Sequence, residues 1–149
     1  MPSALSLDPV ALADALRPTI LQVNRELRRE TRSLGVSPEQ VSLLVSIKYE
    51  PGIGIRELAA RERVSAPAMT KHVDRLERDG LVARTQSDDD RRRVGITITD
   101  AGSRLLRRVR SRRTAWLARH LQSLEPHELE AIEAAVEPLR KLLPEDAPR

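Results

Sequence analysis

The stretch IRELAARERVSAPAMTKHVDRLERDGLVARTQSDDDRRRVGITITDAG, residues 55–102, decides the fold. It predicts a short helix from Arg56 to Arg63 and a second helix capped by Ser65, followed by two strands around a polar tip. Ser65 is a helix-capping residue type, and Pro67 lies in the first turn after it, so the second helix is expected to begin there and to stop at Gly80. Two short helices, a tight turn and a hairpin within about 45 residues are typical of a winged helix-turn-helix.

The second helix of the pair is expected to read DNA, because the second helix of this motif enters the major groove. At about 100° per residue, Met69, Val73 and Leu76 share one arc of the helix, which is predicted to be buried. An ordinary solvated amphipathic helix would show the same arc, and the position between a short helix and a hairpin favours the reading role. The residues expected to reach base edges or phosphates are Ser65, Ala66, Pro67, Ala68, Thr70 and Lys71, with Arg75 further along.

Helices are also predicted on both sides of this stretch. Asp8-Pro9, Ser37-Pro38 and Thr99-Asp100 are start signals, and Pro126 opens a last helix. Pro18 is expected to kink the first helix or to mark its true start. The fold class is therefore mainly α (α+β): four helices, a two-stranded wing, and two further helices.

The charges are unevenly distributed along the chain, whose net charge is +4. Residues 99–122 carry 7 basic and 1 acidic side chains, and residues 123–149 carry 3 and 7. A basic segment attracts phosphate, although the basic and acidic helices could equally pair with each other. With no cysteine, one Trp and no apolar run of about 18 residues, the sequence indicates no disulfide, thiolate site or membrane span. A cytoplasmic protein is expected.

The ordered set of motifs resembles the MarR (multiple antibiotic resistance regulator) family of transcription factors. It comprises ELA at 57–59, VS at 64–65, VDRLERDGLV at 73–82, D-x-R at 90–92 and ITDAG at 98–102. The resemblance implies a homodimer that binds double-stranded DNA at a pseudo-palindromic site. It also implies a helical dimerisation domain (1–36 and 100–149) and a winged DNA-binding lobe (37–99).

The same resemblance assigns roles at the wing tip. Arg92 matches the family's wing arginine, which enters the minor groove, and Arg91 and Arg93 are expected to reach flanking phosphates. Asp90 matches an aspartate that fixes an arginine, for which Arg92 and Arg75 are the candidates. No role follows for the two preceding aspartates.

A small-molecule effector is a further expectation carried by the resemblance, since many members bind aromatic or phenolic ligands. Tyr49 and Trp116 are the only aromatic residues that could line such a pocket, although a role as simple packing anchors is the more ordinary interpretation of both. The absence of cysteine excludes the family's peroxide-sensing mechanism. The sequence carries no recognisable catalytic constellation, metal-ligand pattern or cofactor loop, so no enzyme, metal or cofactor is predicted. A ligand-independent DNA-binding regulator and a winged module for protein–protein contact remain the alternatives.

Overall fold

The computed structural model describes residues 8–86 and 92–144. Within these two ranges the chain forms six α-helices and a hairpin, in the order that the sequence predicts. The helices are α1 (Pro9–Arg29), α2 (Pro38–Tyr49), α3 (Ile55–Glu62), α4 (Ala66–Arg78), α5 (Asp100–Leu121) and α6 (Pro126–Arg140). A 3-10 turn, Arg32–Leu34, joins α1 to α2, and the strands β1 (Val82–Gln86) and β2 (Val94–Ile98) lie between α4 and α5.

Side-chain caps fix where the helices begin. In a capping box, Ser37 Oγ accepts the Gln40 N–H at 3.1 Å and Gln40 Oε1 accepts the Ser37 N–H at 2.9 Å. Thr99 Oγ1 likewise accepts the Gly102 N–H at 3.1 Å at the start of α5. These hydrogen bonds satisfy amides that have no partner inside the helix, and they confirm the start positions read from the sequence.

Pro18 does not mark the start of α1. The helix begins at Pro9, where the Asp8 side chain accepts the Val10 N–H at 3.1 Å, and it continues through Pro18 to Arg29. Proline removes one backbone hydrogen bond from a helix. The residue whose carbonyl loses that bond, Asp14, lies on an exposed part of α1 where water can replace it.

The hydrophobic core brings α2, α3, α4, the hairpin and the first half of α5 together. Leu44 and Ile47 of α2 are completely buried, as are Leu58 of α3 and Ile96 of β2. Further buried members come from α4, β1 and α5: Met69, Val73, Leu76, Val82, Leu105, Leu106 and Val109. Close packing of this kind gives a winged helix-turn-helix lobe whose core is complete within one chain.

The hairpin is tied to the helical part of the lobe on one edge. β1 and β2 pair antiparallel, with Val82 opposite Ile98 and Gln86 opposite Val94. On the other edge of β2, Ile96 donates its N–H to the Ile53 carbonyl and accepts the Gly52 N–H, both at 2.9 Å. β2 is therefore the central element, and the segment between α2 and α3 holds the base of the wing.

Helices α1 and α6 differ from the rest, because neither contains a buried residue. Large apolar side chains are exposed on both, including Leu21 at 57% and Ile132 at 44%. Several more follow along α6 and just beyond it: Leu129, Val136, Leu139, Leu142 and Leu143. Within residues 8–86 and 92–144, nothing covers these two apolar surfaces.

Candidate nucleic-acid interface

The turn between α3 and α4 is made by a residue in a left-handed conformation. Arg63 has φ 55°, and the Val64 N–H that follows it donates to the Ala59 carbonyl at 3.0 Å. A left-handed conformation costs a non-glycine residue about 1–2 kcal/mol, and here it ends α3 abruptly. The chain reaches Ser65 within two residues, and Ser65 Oγ accepts the Ala68 N–H at 3.3 Å to begin α4.

Helix α4 has one buried face and one exposed face, as the sequence predicts. Met69, Val73 and Leu76 are at most 1% exposed. On the other side Pro67, Thr70, Lys71 and Arg75 are exposed, while Ala66 and Ala68 are half-buried. The N-terminal half of the helix thus presents short apolar groups with a single lysine among them. Such a surface can contact thymine methyl groups and donate to phosphate or guanine.

Two side chains of this face have their hydroxyl groups engaged by the helix itself. Thr70 donates its hydroxyl to the Ala66 carbonyl at 3.0 Å, and Ser65 accepts the cap hydrogen bond described above. The Thr70 hydroxyl hydrogen is therefore committed in this structure, which leaves its oxygen as an acceptor and its methyl group as an apolar contact. The Ser65 hydroxyl keeps its own hydrogen for an external acceptor.

The wing residues predicted to contact DNA are only partly within the structure. Asp90 and Arg91 lie outside the described residues. Arg92 and Arg93 are exposed and border a groove of about 810 Å³ between the wing and the start of α3. Arg93 Nη2 lies 4.0 Å from Glu57 Oε1, at the limit of an ion pair.

The sequence analysis did not find an ion-pair network that joins the wing to α4. Arg84 of β1 donates to Asp74 Oδ1 at 2.5 Å and to Glu77 Oε1 at 2.9 Å, so it links the wing to α4. The hydrogen bond to Asp74 raises the pKa of the Arg84 guanidinium; burial opposes this, and the charges of the two carboxylates add to it. The spacing of Asp74 and Glu77 on α4 was visible in the sequence, but the sequence did not identify Arg84 as their partner.

The aromatic residues proposed to line an effector pocket lie on different elements. Tyr49 ends α2 and is 54% exposed, whereas Trp116 is half-buried in α5 with its ring 4.0 Å from that of His120. A cavity of about 230 Å³ opens elsewhere, between the end of α1 and helices α2 to α4, and includes neither residue. Its lining combines Arg28, Ser42, Glu62, Met69 and His72.

One arginine of α5 is poorly compensated within the chain. Arg113 Nε is buried without a hydrogen-bond partner among the residues that the structure describes. Burial lowers the pKa of this guanidinium, and the positive charge of Arg28 on α1 lowers it further.

Across residues 8–86 and 92–144, no group of three or more His, Asp or Glu is arranged to hold a metal ion. No helix within those ranges is long and apolar enough to cross a membrane.

Known proteins are similar to this chain in both sequence and architecture. The sequence profile of the MarR family matches residues 36–94, which cover the lobe from the start of α2 to the wing. The HTH-type transcriptional repressor MdtR of Bacillus subtilis is 32% identical, over 77% of this chain and 74% of that protein. An HTH-type transcriptional regulator of Mycobacterium tuberculosis is 31% identical, over 90% and 94%. The chain belongs to the MarR family.

The fold of this MarR protein is also similar to that of a solved member of the family. The structure of a MarR family protein from Bacillus stearothermophilus superposes with a TM-score of 0.73 at 26% identity, covering 89% of this chain and 92% of that one. The similarity thus extends beyond the lobe to the flanking helices. The protein is a DNA-binding transcriptional regulator of the MarR family, and its relatives are regulators, not enzymes.

Proposed function

We propose that the chain acts as a homodimeric repressor that reads a pseudo-palindromic operator and is released by a small ligand. The observation that carries the dimer is the contrast between a lobe with a complete core and two helices, α1 and α6, with no buried residue. Exposed apolar stripes on both helices require cover, and a second copy supplies an identical pair of stripes. This contrast supports the proposed division into a dimerisation domain (1–36 and 100–149) and a lobe (37–99), with the first turns of α5 packed on the lobe.

In the proposed complex, α4 enters the major groove and the wing reaches the adjacent minor groove. The exposed side of α4 supports this, since Lys71 lies opposite the buried face and Thr70 is exposed beside it. Two lobes related by a two-fold axis would place their α4 helices in successive major grooves, about one helical turn apart. Arg92 and Arg93 are both exposed in the structure, which supports a contact between the wing and the flanking DNA.

Repression relieved by a ligand is the second part of the proposal. The relative MdtR is named a repressor, which supports that direction of regulation for this chain. A ligand that favours one lobe separation over another would shift the population away from the DNA-binding form. The 230 Å³ cavity touches both α1 and α4, so an occupant there would contact the dimerisation helices and the reading helix together.

The decisive experiment is a salt-dependent binding titration on a duplex that the wild-type protein selects from a random-sequence pool. Lys71→Ala and Arg92→Ala should each weaken binding by about tenfold, and each should reduce the salt slope by about one unit. If both variants bind as tightly as wild type, the basic face serves a protein partner instead. Thermal-shift screening with aromatic acids tests the ligand, because a bound ligand raises the melting temperature by mass action. No shift at saturating concentrations would favour the ligand-independent regulator.

A further inference from the structure

Arg84 makes three hydrogen bonds from the wing to α4, the recognition helix that is proposed to enter the major groove. Its two terminal nitrogens donate to Asp74 at 2.5 Å and to Glu77 at 2.9 Å. Its backbone N–H donates to the second oxygen of Glu77 at 3.2 Å. A planar guanidinium that holds two carboxylates in this way has a fixed orientation, which a single flexible ion pair does not provide.

The backbone hydrogen bond matters because β1 is the outer strand of the wing. Ile96, which lies opposite Arg84, uses its own N–H and carbonyl toward Ile53 and Gly52. The Arg84 N–H therefore points away from β2, toward the open edge of the sheet. Glu77 accepts it there, so α4 takes the place of a further strand at this edge.

The position of Asp74 gives this link a functional setting. Asp74 is three residues after Lys71, so the two side chains are neighbours on α4. Lys71 is proposed to face DNA, and a free carboxylate beside it would repel phosphate. Arg84 holds Asp74 while its own side chain is only 28% exposed, which makes it a poor candidate for a DNA contact itself.

We propose that Arg84 is a positioning residue that locks the wing to the recognition helix, so that α4 and the wing dock on DNA as one rigid body. The inference rests on the proposed DNA contacts of Lys71 and Arg92. When Arg84 holds the wing, Arg92 is already oriented for DNA as α4 enters the major groove. When Arg84 is removed, the wing must be ordered during binding. The entropy lost in that step reduces the contribution of Arg92 to the binding free energy.

The test compares the contribution of the wing in two backgrounds. The dissociation constant for the selected duplex is measured for wild type and Arg84→Met, each with and without Arg92→Ala and each with and without Lys71→Ala. In wild type, Arg92→Ala is expected to weaken binding by about tenfold. In Arg84→Met this factor should fall below about threefold, while the factor for Lys71→Ala stays unchanged. Circular dichroism and melting temperatures establish that each variant is folded.

Two matched variants separate this mechanism from its competitors. Arg17→Met removes another arginine–aspartate pair, Arg17–Asp14 on α1, and should leave both factors at their wild-type values. Arg84→Lys keeps the charge but cannot span both carboxylates. The factor by which Arg92→Ala weakens binding should therefore be intermediate in this background.

The outcomes are distinguishable. If Arg84→Met weakens binding but both factors keep their wild-type values, Arg84 acts only through stability or charge, and the lock is refuted. Full recovery of affinity in Arg84→Met/Asp74→Asn/Glu77→Gln would assign the effect to charge repulsion and would likewise refute it. If wild-type binding does not depend on Lys71 or Arg92 at all, the proposed DNA contacts fail first and the lock has no function to serve.

Discussion

The Thr99 hydroxyl donates to the Gly80 carbonyl at 2.6 Å while its oxygen accepts the Gly102 N–H at 3.1 Å. One side chain thus caps α5 and joins it to the turn that ends α4. Gly80 has φ 72°, the left-handed conformation that commonly follows a helix end. This hydrogen bond joins the start of α5 to the end of α4, although Thr99 and Gly80 are 19 residues apart in the sequence.

Replacing Thr99 with Val should destabilise the protein by about 1–3 kcal/mol, because both the cap and the hydrogen bond to Gly80 are lost while the shape is kept. Thr99→Ser retains the hydroxyl and should cost less than half as much. Urea unfolding of the two variants measures the difference. Equal stability of Thr99→Val and wild type would show that the hydroxyl does not couple the two helices.

Gly95→Ala should disturb the wing specifically. A Cβ at position 95 would lie 2.6 Å from the Gly52 carbonyl oxygen, and this neighbour is backbone that cannot rotate away. We expect a loss of about 1–3 kcal/mol in unfolding free energy, as for other overpacked sites, together with weaker DNA binding. Gly54→Ala is the matched control, since a Cβ there meets no atom of the described residues within 4 Å. If both substitutions have the same small effect, the close approach is not a constraint.

Ile132→Glu should convert the proposed dimer to monomer. Ile132 is 44% exposed in the single chain and belongs to the apolar surface of α6 that we propose is covered by the partner. Burying an unpaired carboxylate there would cost several kcal/mol. Sedimentation velocity should show a dimer for wild type and for the control Glu133→Gln, and a monomer for Ile132→Glu. A wild-type monomer at micromolar concentration would contradict the proposal directly.

Arg92→Ala should weaken binding most when the flanking base pairs are A·T-rich. A narrow A·T-rich minor groove has an enhanced negative potential, which favours an inserted arginine. Anisotropy titrations on two duplexes that share the central site and differ only in their flanks measure this. An equal loss on G·C-rich flanks would remove the minor-groove assignment and leave a phosphate contact.

Asp90→Ala tests whether an acidic group at the wing tip assists DNA binding. If Asp90 orients an arginine for the groove, its removal should weaken binding although it deletes a negative charge. Tighter binding would mean that simple repulsion is the correct account. Asp88→Ala, two residues earlier, removes the same charge and provides the comparison.

The local features of this fold could be read from the sequence because they depend on residues close together in the chain. The caps at Ser37, Ser65 and Thr99 each involve partners three residues away. The buried arc of α4 follows from helical periodicity alone. In each case neighbouring residue types determine the geometry, and the structure confirms it.

Contacts between elements could not be predicted in the same way. Arg84 reaches Asp74 across a turn, and Glu62 accepts the Ser46 hydroxyl at 2.7 Å from 16 residues away. No periodic pattern distinguishes these charged residues from solvated ones, because the partner depends on how elements pack. The pairing of Ile53 with Ile96 was missed for a related reason, since a single bridged residue has no alternation to reveal it.

The completion of the lobe's core within one chain has a genetic consequence for the proposed homodimer. If α1 and α6 pair with a second copy as we propose, a substitution on the exposed face of α4 should leave that pairing intact, because the core of the lobe lies within one chain. A mixed dimer would then carry one reading helix that fits the operator and one that does not. Loss-of-function alleles in the lobe should therefore be dominant over wild type, whereas alleles that disrupt α6 should be recessive.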